Sequence, residues 1–362
     1  MARVEDVRAT AYTIPTDRPE SDGTLEWDST TIVVVEASGA GSQGLGYTYG
    51  HPAIAEVISS TLAPAARGAD AMAPPQVWAA MQREVRNFGR QGLCAMAISA
   101  VDIALWDLRA KLLGLSLADS LGRVHDAIPA YGSGGFTSYT DRELSEQLRG
   151  WVERGCRAVK IKVGREPERD PERLAAAREA IGAEVKLMVD ANGAFDRRSA
   201  ARWAERYDEF GVSYLEEPVS SDDLEGLRWL REAVPAGMEV AAGEYAWDLP
   251  ELRRLAGCVD VLQGDVTRCG GITNLLRADG ICRAGGLPFS AHCAPQVSAH
   301  LCCAVERTVH IEYFHDHERV ESMLFDGVLA LEDGELRPDP ARPGLGIELR
   351  QAEADRFRTS DR

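Results

Sequence analysis

From about residue 127 the chain repeats one pattern: a short apolar run, a turn, then a charged amphipathic stretch. AVKIKVG leads to PERLAAAREAIG, VKLMVDANG to RSAARWAERYDEFG, and VSYLEEP to LEGLRWLREAVP. Apolar runs of this kind suit strands buried on both faces, and strands alternating with helices build parallel βαβ units. Eight strand candidates lie near 128–133, 158–163, 185–190, 212–216, 238–243, 259–264, 287–291 and 309–313. Eight such units fit a closed (β/α)8-like barrel. A doubly wound open sheet is the competing arrangement, but no GxGxxG or GxxxxGK[ST] sits at a strand-to-helix turn.

The flanking segments follow other rules. Residues 1–125 read as a small α+β capping domain. It holds a β-branched run TTIVVVEA (30–37), a glycine-rich loop GAGSQGLGYTYG (39–50) and a helical stretch CAMAISAVDIALWDLRAKLLG (94–114). The barrel is placed at 126–325. The remainder, 326–362, carries the Pro/Gly-rich ELRPDPARPGLGIEL and is expected to pack back on the capping domain.

A net charge of −17 repels phosphate backbones and anionic membranes, which disfavours a nucleic-acid or membrane partner. No stretch reaches the roughly 18 apolar residues of a spanning helix, and the amino-terminal run lacks signal-peptide character. The eight cysteines include no CxxC, and the adjacent Cys302 and Cys303 lack zinc spacing. Reduced thiols in a cytoplasmic protein are expected. A homo-oligomer is expected as well.

In such a barrel the reacting groups come from the C-terminal strand ends. Those ends carry Lys160 and Lys162, then Asp190 and Asn192, Glu216, Glu244, Asp265, His292 and Glu312, spaced by about one βα unit each. Two lysines two apart share a face of a strand that has no solvent side, so they need anionic partners. Taken singly, Asp190, Glu216 and Glu244 are as well read as helix caps or salt bridges. Together, three carboxylates at successive strand ends repel one another unless a cation sits between them. Oxygen ligands without Cys or His indicate Mg2+, with Mn2+ the alternative. Asp265 and His292, on adjacent strands, suit a carboxylate–imidazole hydrogen bond that raises the basicity of the ring. Like-charge crowding is expected to raise the pKa of Glu312 and make it a hydrogen-bond donor. His315 and His317 receive no role.

The ordered segments VKIKV, VDANG, LEEP, AGEY, QGDVTRCGGIT, SAH and IEY, behind the VDIALWDLRAKLLG helix, resemble the enolase superfamily, mandelate racemase subgroup. The resemblance covers most of the chain. It implies a barrel of the modified (β/α)7β form under an amino-terminal cap, with Asp190, Glu216 and Glu244 as Mg2+ ligands. It also implies Lys162 as one acid/base, His292 with Asp265 as the other, and Glu312 as an electrophilic group. Gly264, where the family commonly has proline, is a departure. The implied chemistry is abstraction of the proton alpha to a carboxylate through a metal-stabilised enediolate, as in enolase-superfamily sites generally.

Two outcomes follow such abstraction: dehydration of a sugar acid to a 2-keto-3-deoxy acid, or an epimerase, racemase or cycloisomerase reaction. Expected lid loops at about 16–30 and 43–51 supply Arg18, Asp22, Glu26, Trp27, Tyr47, Tyr49 and His51. That polar set suits a polyhydroxylated carboxylate better than an aromatic one, so Arg18, Trp27, Tyr47, His51 and Asn192 are the expected substrate-binding residues of a sugar-acid dehydratase. A glycoside hydrolase needs paired carboxylates but no lysine pair or metal triad. A binding-only barrel should have lost an acid/base residue, and none is missing.

Overall fold

In the computed structural model, which describes residues 2–359, eight parallel strands close on themselves. They are preceded by three longer strands, β1 (Asp6–Ser21), β2 (Glu26–Gly39) and β3 (Ser42–Tyr49). The barrel strands are β4 (Ile128–Gly134), β5 (Ala158–Lys162), β6 (Lys186–Asp190), β7 (Val212–Glu216), β8 (Glu239–Ala242), β9 (Val261–Gly264), β10 (Phe289–Ala291) and β11 (Thr308–Phe314). Each pairs with the next, and β11 returns to β4 with Ile311 opposite Ala130. Closure removes the exposed edges that an open sheet leaves.

Alternation along each strand decides what reaches the centre. Tyr131, Ala158, Met188, Tyr214, Ala241 and Val261 fill the barrel interior as one apolar layer. Two residues further along, the same inward face of β5, β6 and β7 carries Lys160, Asp190 and Glu216. The register sets Lys162 beside Asp190, and Asp190 beside Glu216. The outward residues, such as Val159, Ile161, Val189 and Leu215, join the large core under the surrounding helices.

The capping sheet corrects the expected lid loops. Residues 16–21 continue β1, 26–30 begin β2, and only 22–25 form a tip, while 43–49 lie in β3. The β1–β2 pairing slips between Pro15 and Glu20. The glycines near residue 44 serve close packing rather than a loop. A Cβ on Gly44 would run into Ala104 O and Leu108 N, and one on Gly46 into Ala100 O and Ala104 N. Both positions let β3 lie directly on the helix Leu93–Leu113. That helix binds the barrel too: Asp102 accepts from the Thr273 N–H at 2.8 Å, in the first turn of the helix Gly271–Gly285.

After β11 comes the helix His315–Leu324, whose Glu321 accepts from the Tyr47 hydroxyl at 2.5 Å. The final segment touches both parts. The two-residue strand Glu335–Leu336 pairs with β4, and the Thr359 N–H donates to Ala11 O at 3.0 Å. All eight cysteines are unpaired and buried. Among the described residues no helix is long and apolar enough to cross a membrane.

Candidate active site

Above the apolar layer the lysines and carboxylates interlock. Lys160 is wholly buried, its Nζ 2.6 Å from Glu216 Oε2, 2.8 Å from Glu312 Oε1 and 3.3 Å from the Tyr131 hydroxyl. Lys162 Nζ donates to Asp190 Oδ2 at 2.5 Å. Burial opposes a charge on either lysine, but the facing carboxylates outweigh it and hold both above the ordinary lysine range. Glu244, just past β8, is held by Arg268 Nη1 at 2.9 Å and lies 3.0 Å from His292 Nε2. Burial pushes the Glu216 carboxyl up to about 8.

Asp190, Glu216 and Glu244 each bring an oxygen within 4.8 Å of the others. Glu216 Oε1 is buried without a hydrogen-bond partner. Buried polar atoms normally have one. Three hard oxygen donors and an unpaired buried oxygen fit a divalent cation of the Mg2+ kind.

His292 follows β10. Its Nδ1 lies 2.7 Å from Asp265 Oδ2, while Asp265 Oδ1 accepts from the Thr267 N–H at 2.6 Å and its hydroxyl at 2.7 Å. With Nδ1–H donated to a carboxylate, Nε2 is left for the cavity. Burial disfavours the imidazolium, but Cys293, Glu244, Glu312 and Asp265 around it raise its pKa well above the ordinary histidine value. The expectation for Glu312 is overturned. Burial does push its carboxyl up, but Lys160, His292 and Lys162 together hold it well below the usual carboxylate range. It is an acceptor, taking the Ser133 hydroxyl at 2.6 Å.

A cavity of about 470 Å³ opens over this cluster, and Lys162, Asn192, Glu244, His292 and Glu312 line it from the barrel. Lys160, Asp190, Glu216 and Asp265 are buried and do not line it. Asn192 sits in the left-handed region, φ 46°, and donates from Nδ2 to Glu244 Oε1 at 3.2 Å. Glu217, Cys293 and Ala294 share that uncommon conformation, which clusters at functional sites. From the cap, Trp27 and His51 line the cavity; Trp27 donates to Glu20 at 2.7 Å, and His51 Nδ1 accepts from the Ala53 N–H at 3.1 Å.

Two expected substrate contacts lie elsewhere. Arg18 is exposed and paired with Glu143, because it sits on the outer part of β1. Tyr47 is fully buried on Glu321, because β3 turns that face toward the helix after β11. The cavity also contains Tyr245, Arg268 and Cys293, which sequence reasoning passed over, and His317, to which it gave no role. Arg268 had a legible signal: three residues after Asp265, in one turn, it reaches Asp265 at 3.4 Å as well as Glu244. His317 stacks on Tyr49 with ring centroids 3.4 Å apart, a contact between distant segments that no local pattern announces.

Comparison with known proteins agrees with this architecture. Residues 9–122 match the family description "Mandelate racemase / muconate lactonizing enzyme, N-terminal domain", and residues 143–354 match "Enolase C-terminal domain-like". A mandelate racemase/muconate lactonizing enzyme-like protein from Rubrobacter xylanophilus superposes with a TM-score of 0.98 at 64% identity, over 99% of this chain and 100% of that one. L-talarate/galactarate dehydratase from Salmonella typhimurium is 31% identical over 96% of this chain and 89% of its own length. Its structure with Mg and L-lyxarohydroxamate gives a TM-score of 0.90 at 30% identity, covering 99% of this chain and 93% of that one. The 3,6-anhydro-alpha-L-galactonate cycloisomerase of Streptomyces coelicolor is 31% identical over 96% of this chain and 97% of its own.

Proposed function

The chain belongs to the mandelate racemase/muconate lactonizing enzyme family of enolase-like enzymes, and from that premise we propose that it is a Mg2+-dependent dehydratase of a sugar acid. The observation that carries the reading is the pairing of Lys162 with His292 over one carboxylate cluster. β5 and β10 stand three places apart around the ring, so the two groups approach the cavity from different sides.

Asp190, Glu216 and Glu244 would hold the cation. When bound, Mg2+ takes up charge from these carboxylates and from the substrate carboxylate, which acidifies the alpha proton and eases deprotonation of Lys162. Lys162 then removes that proton. Lys160, pinned by Glu216 and Glu312 beneath, keeps positive charge close to where negative charge develops. His292, its charged form favoured by its neighbours, delivers a proton from Nε2 to the departing C3 hydroxyl. Carbon–oxygen cleavage at C3 releases water, and the resulting enol ketonises to the 2-keto-3-deoxy acid. Trp27, His51 and Asn192 are the proposed substrate contacts, and the buried unpaired thiols suit a cytoplasmic enzyme.

Isomerisation is the second reading, favoured by the cycloisomerase relative and by the same acid/base pair. Mass spectrometry of sugar acids incubated with enzyme and Mg2+ separates the two. Dehydration removes one water, whereas turnover at unchanged mass assigns the enzyme to the isomerases.

A further inference from the structure

The cavity's charges are divided unevenly between barrel and cap. Its one lysine and one arginine among the described residues, Lys162 and Arg268, both come from the barrel, and both are engaged by carboxylates. The cap contributes Asp22, Ser29, Thr30, Thr31, Tyr49 and His51, with no lysine or arginine. The nearby arginines are spent elsewhere. Arg165 holds Glu26 at 2.7 Å and Leu25 O at 3.1 Å, Arg319 holds Asp316 at 2.6 Å, and Arg18 holds Glu143. None of the three lines the cavity.

Of the two histidines on that side, His317 does not replace them. His317 is buried, its Nδ1 accepts from the Ala294 N–H at 3.3 Å, and burial pushes its pKa down to about 3. His51 already uses Nδ1 as an acceptor. Asp22, mostly buried at the tip of the cap, takes the Thr24 and Leu25 N–H groups at 2.6 and 2.7 Å.

Resting on the dehydratase reading above, we infer that the substrate is a monocarboxylic polyhydroxy acid, an aldonate, and that dicarboxylic aldarates are rejected. The substrate's one carboxylate belongs at the barrel end, beside Lys162 and the acidic cluster's cation. A second carboxylate turned toward the cap would leave water beside Asp22 with no lysine or arginine of the cap to pair with, which is costly. A neutral polyol tail carries no charge and meets the same wall without that cost.

The test uses the Mg2+-loaded enzyme with five- and six-carbon aldonates and aldarates of matched configurations. Exchange of the C2 proton in deuterated water, followed by NMR, reads the substrate class. Loss of one water by mass spectrometry reads the reaction. We expect exchange with at least one aldonate at a kcat/KM ~10-fold or more above its matching aldarate. A Ser29→Arg variant, checked for folding by circular dichroism and retained aldonate exchange, should narrow that ratio by supplying the missing cation. Aldarates exchanging as fast as aldonates overturn the inference, as does an unchanged ratio in the folded Ser29→Arg variant. Aldonate exchange without water loss overturns dehydration alone and leaves the substrate class standing. No exchange with either set overturns both.

Discussion

Replacing Asp265 with Asn isolates what the carboxylate behind His292 contributes. Asn can still accept the Thr267 N–H and hydroxyl that Asp265 Oδ1 takes at 2.6 and 2.7 Å, so the local turn should persist. Its amide then faces His292 Nδ1 as a donor, which forces that nitrogen to accept and leaves the neutral ring's proton on Nε2. With charge centres about 4 Å apart and an effective dielectric near 20, the lost pair is worth about 4 kcal/mol, or about 3 pKa units. Glu244 at 3.0 Å and Glu312 at 3.5 Å stay beside Nε2 in both forms, and relaxation and water around the new amide recover part of the lost interaction, so the net fall should be roughly 1–2 units. In its proposed role His292 acts as the acid in its protonated form, so activity should be present below its pKa and lost above it. The alkaline limb of the kcat profile should therefore move to lower pH by the same roughly 1–2 units, with kcat down ~100- to 1000-fold. Steady-state rates from pH 5 to about 10 decide it. A limb that stays in place, with kcat within about threefold of wild type, would refute the assigned role of Asp265.

Glu216→Gln removes a ligand charge and should weaken Mg2+ binding at least ~10-fold in a calorimetric titration; full turnover after exhaustive chelation would remove the metal from the account altogether. In deuterated solvent Lys162→Ala should lose C2-proton exchange, while His292→Asn keeps it for a substrate presented to Lys162. Loss in both variants, with binding intact, points to a shared base. Gly44→Ala should cost about 3 kcal/mol in urea unfolding, because its Cβ meets the backbone of the helix Leu93–Leu113. A loss under about 0.5 kcal/mol would show that β3 and the helix can separate cheaply.

The barrel was legible because parallel strands carry their signal locally: each is a short apolar run, and all but β4 carry an ionisable residue at or near the end. The strand alternation that buries Ala158 inside the barrel also turns Lys160 and Lys162 inward, so face and height could be read together. The cap was harder. Gly44 and Gly46 look like loop residues until the helix Leu93–Leu113 is seen lying on them, a contact between segments some sixty residues apart. Tyr47 reads as a pocket residue until Glu321, far along the chain, claims its hydroxyl. The sign of the Glu312 shift depended on how close two lysines and a histidine come, and spacing along the chain does not give those distances.

The interlocked charges at the strand ends bear on how the protein comes into being. Asp190, Glu216, Glu244, Asp265 and Glu312 are met at salt-bridge distance by Lys160, Lys162, Arg268 and His292. The cluster is thus almost neutralised by the chain's own side chains. A newly made polypeptide can complete its barrel before any ion arrives, in contrast to small metal-dependent folds that are unfolded without one. An ion held by the proposed ligands would enter a finished cradle and compete with Arg268 and His292 for Glu244. Chelation should silence the enzyme while leaving it folded and ready to be recharged.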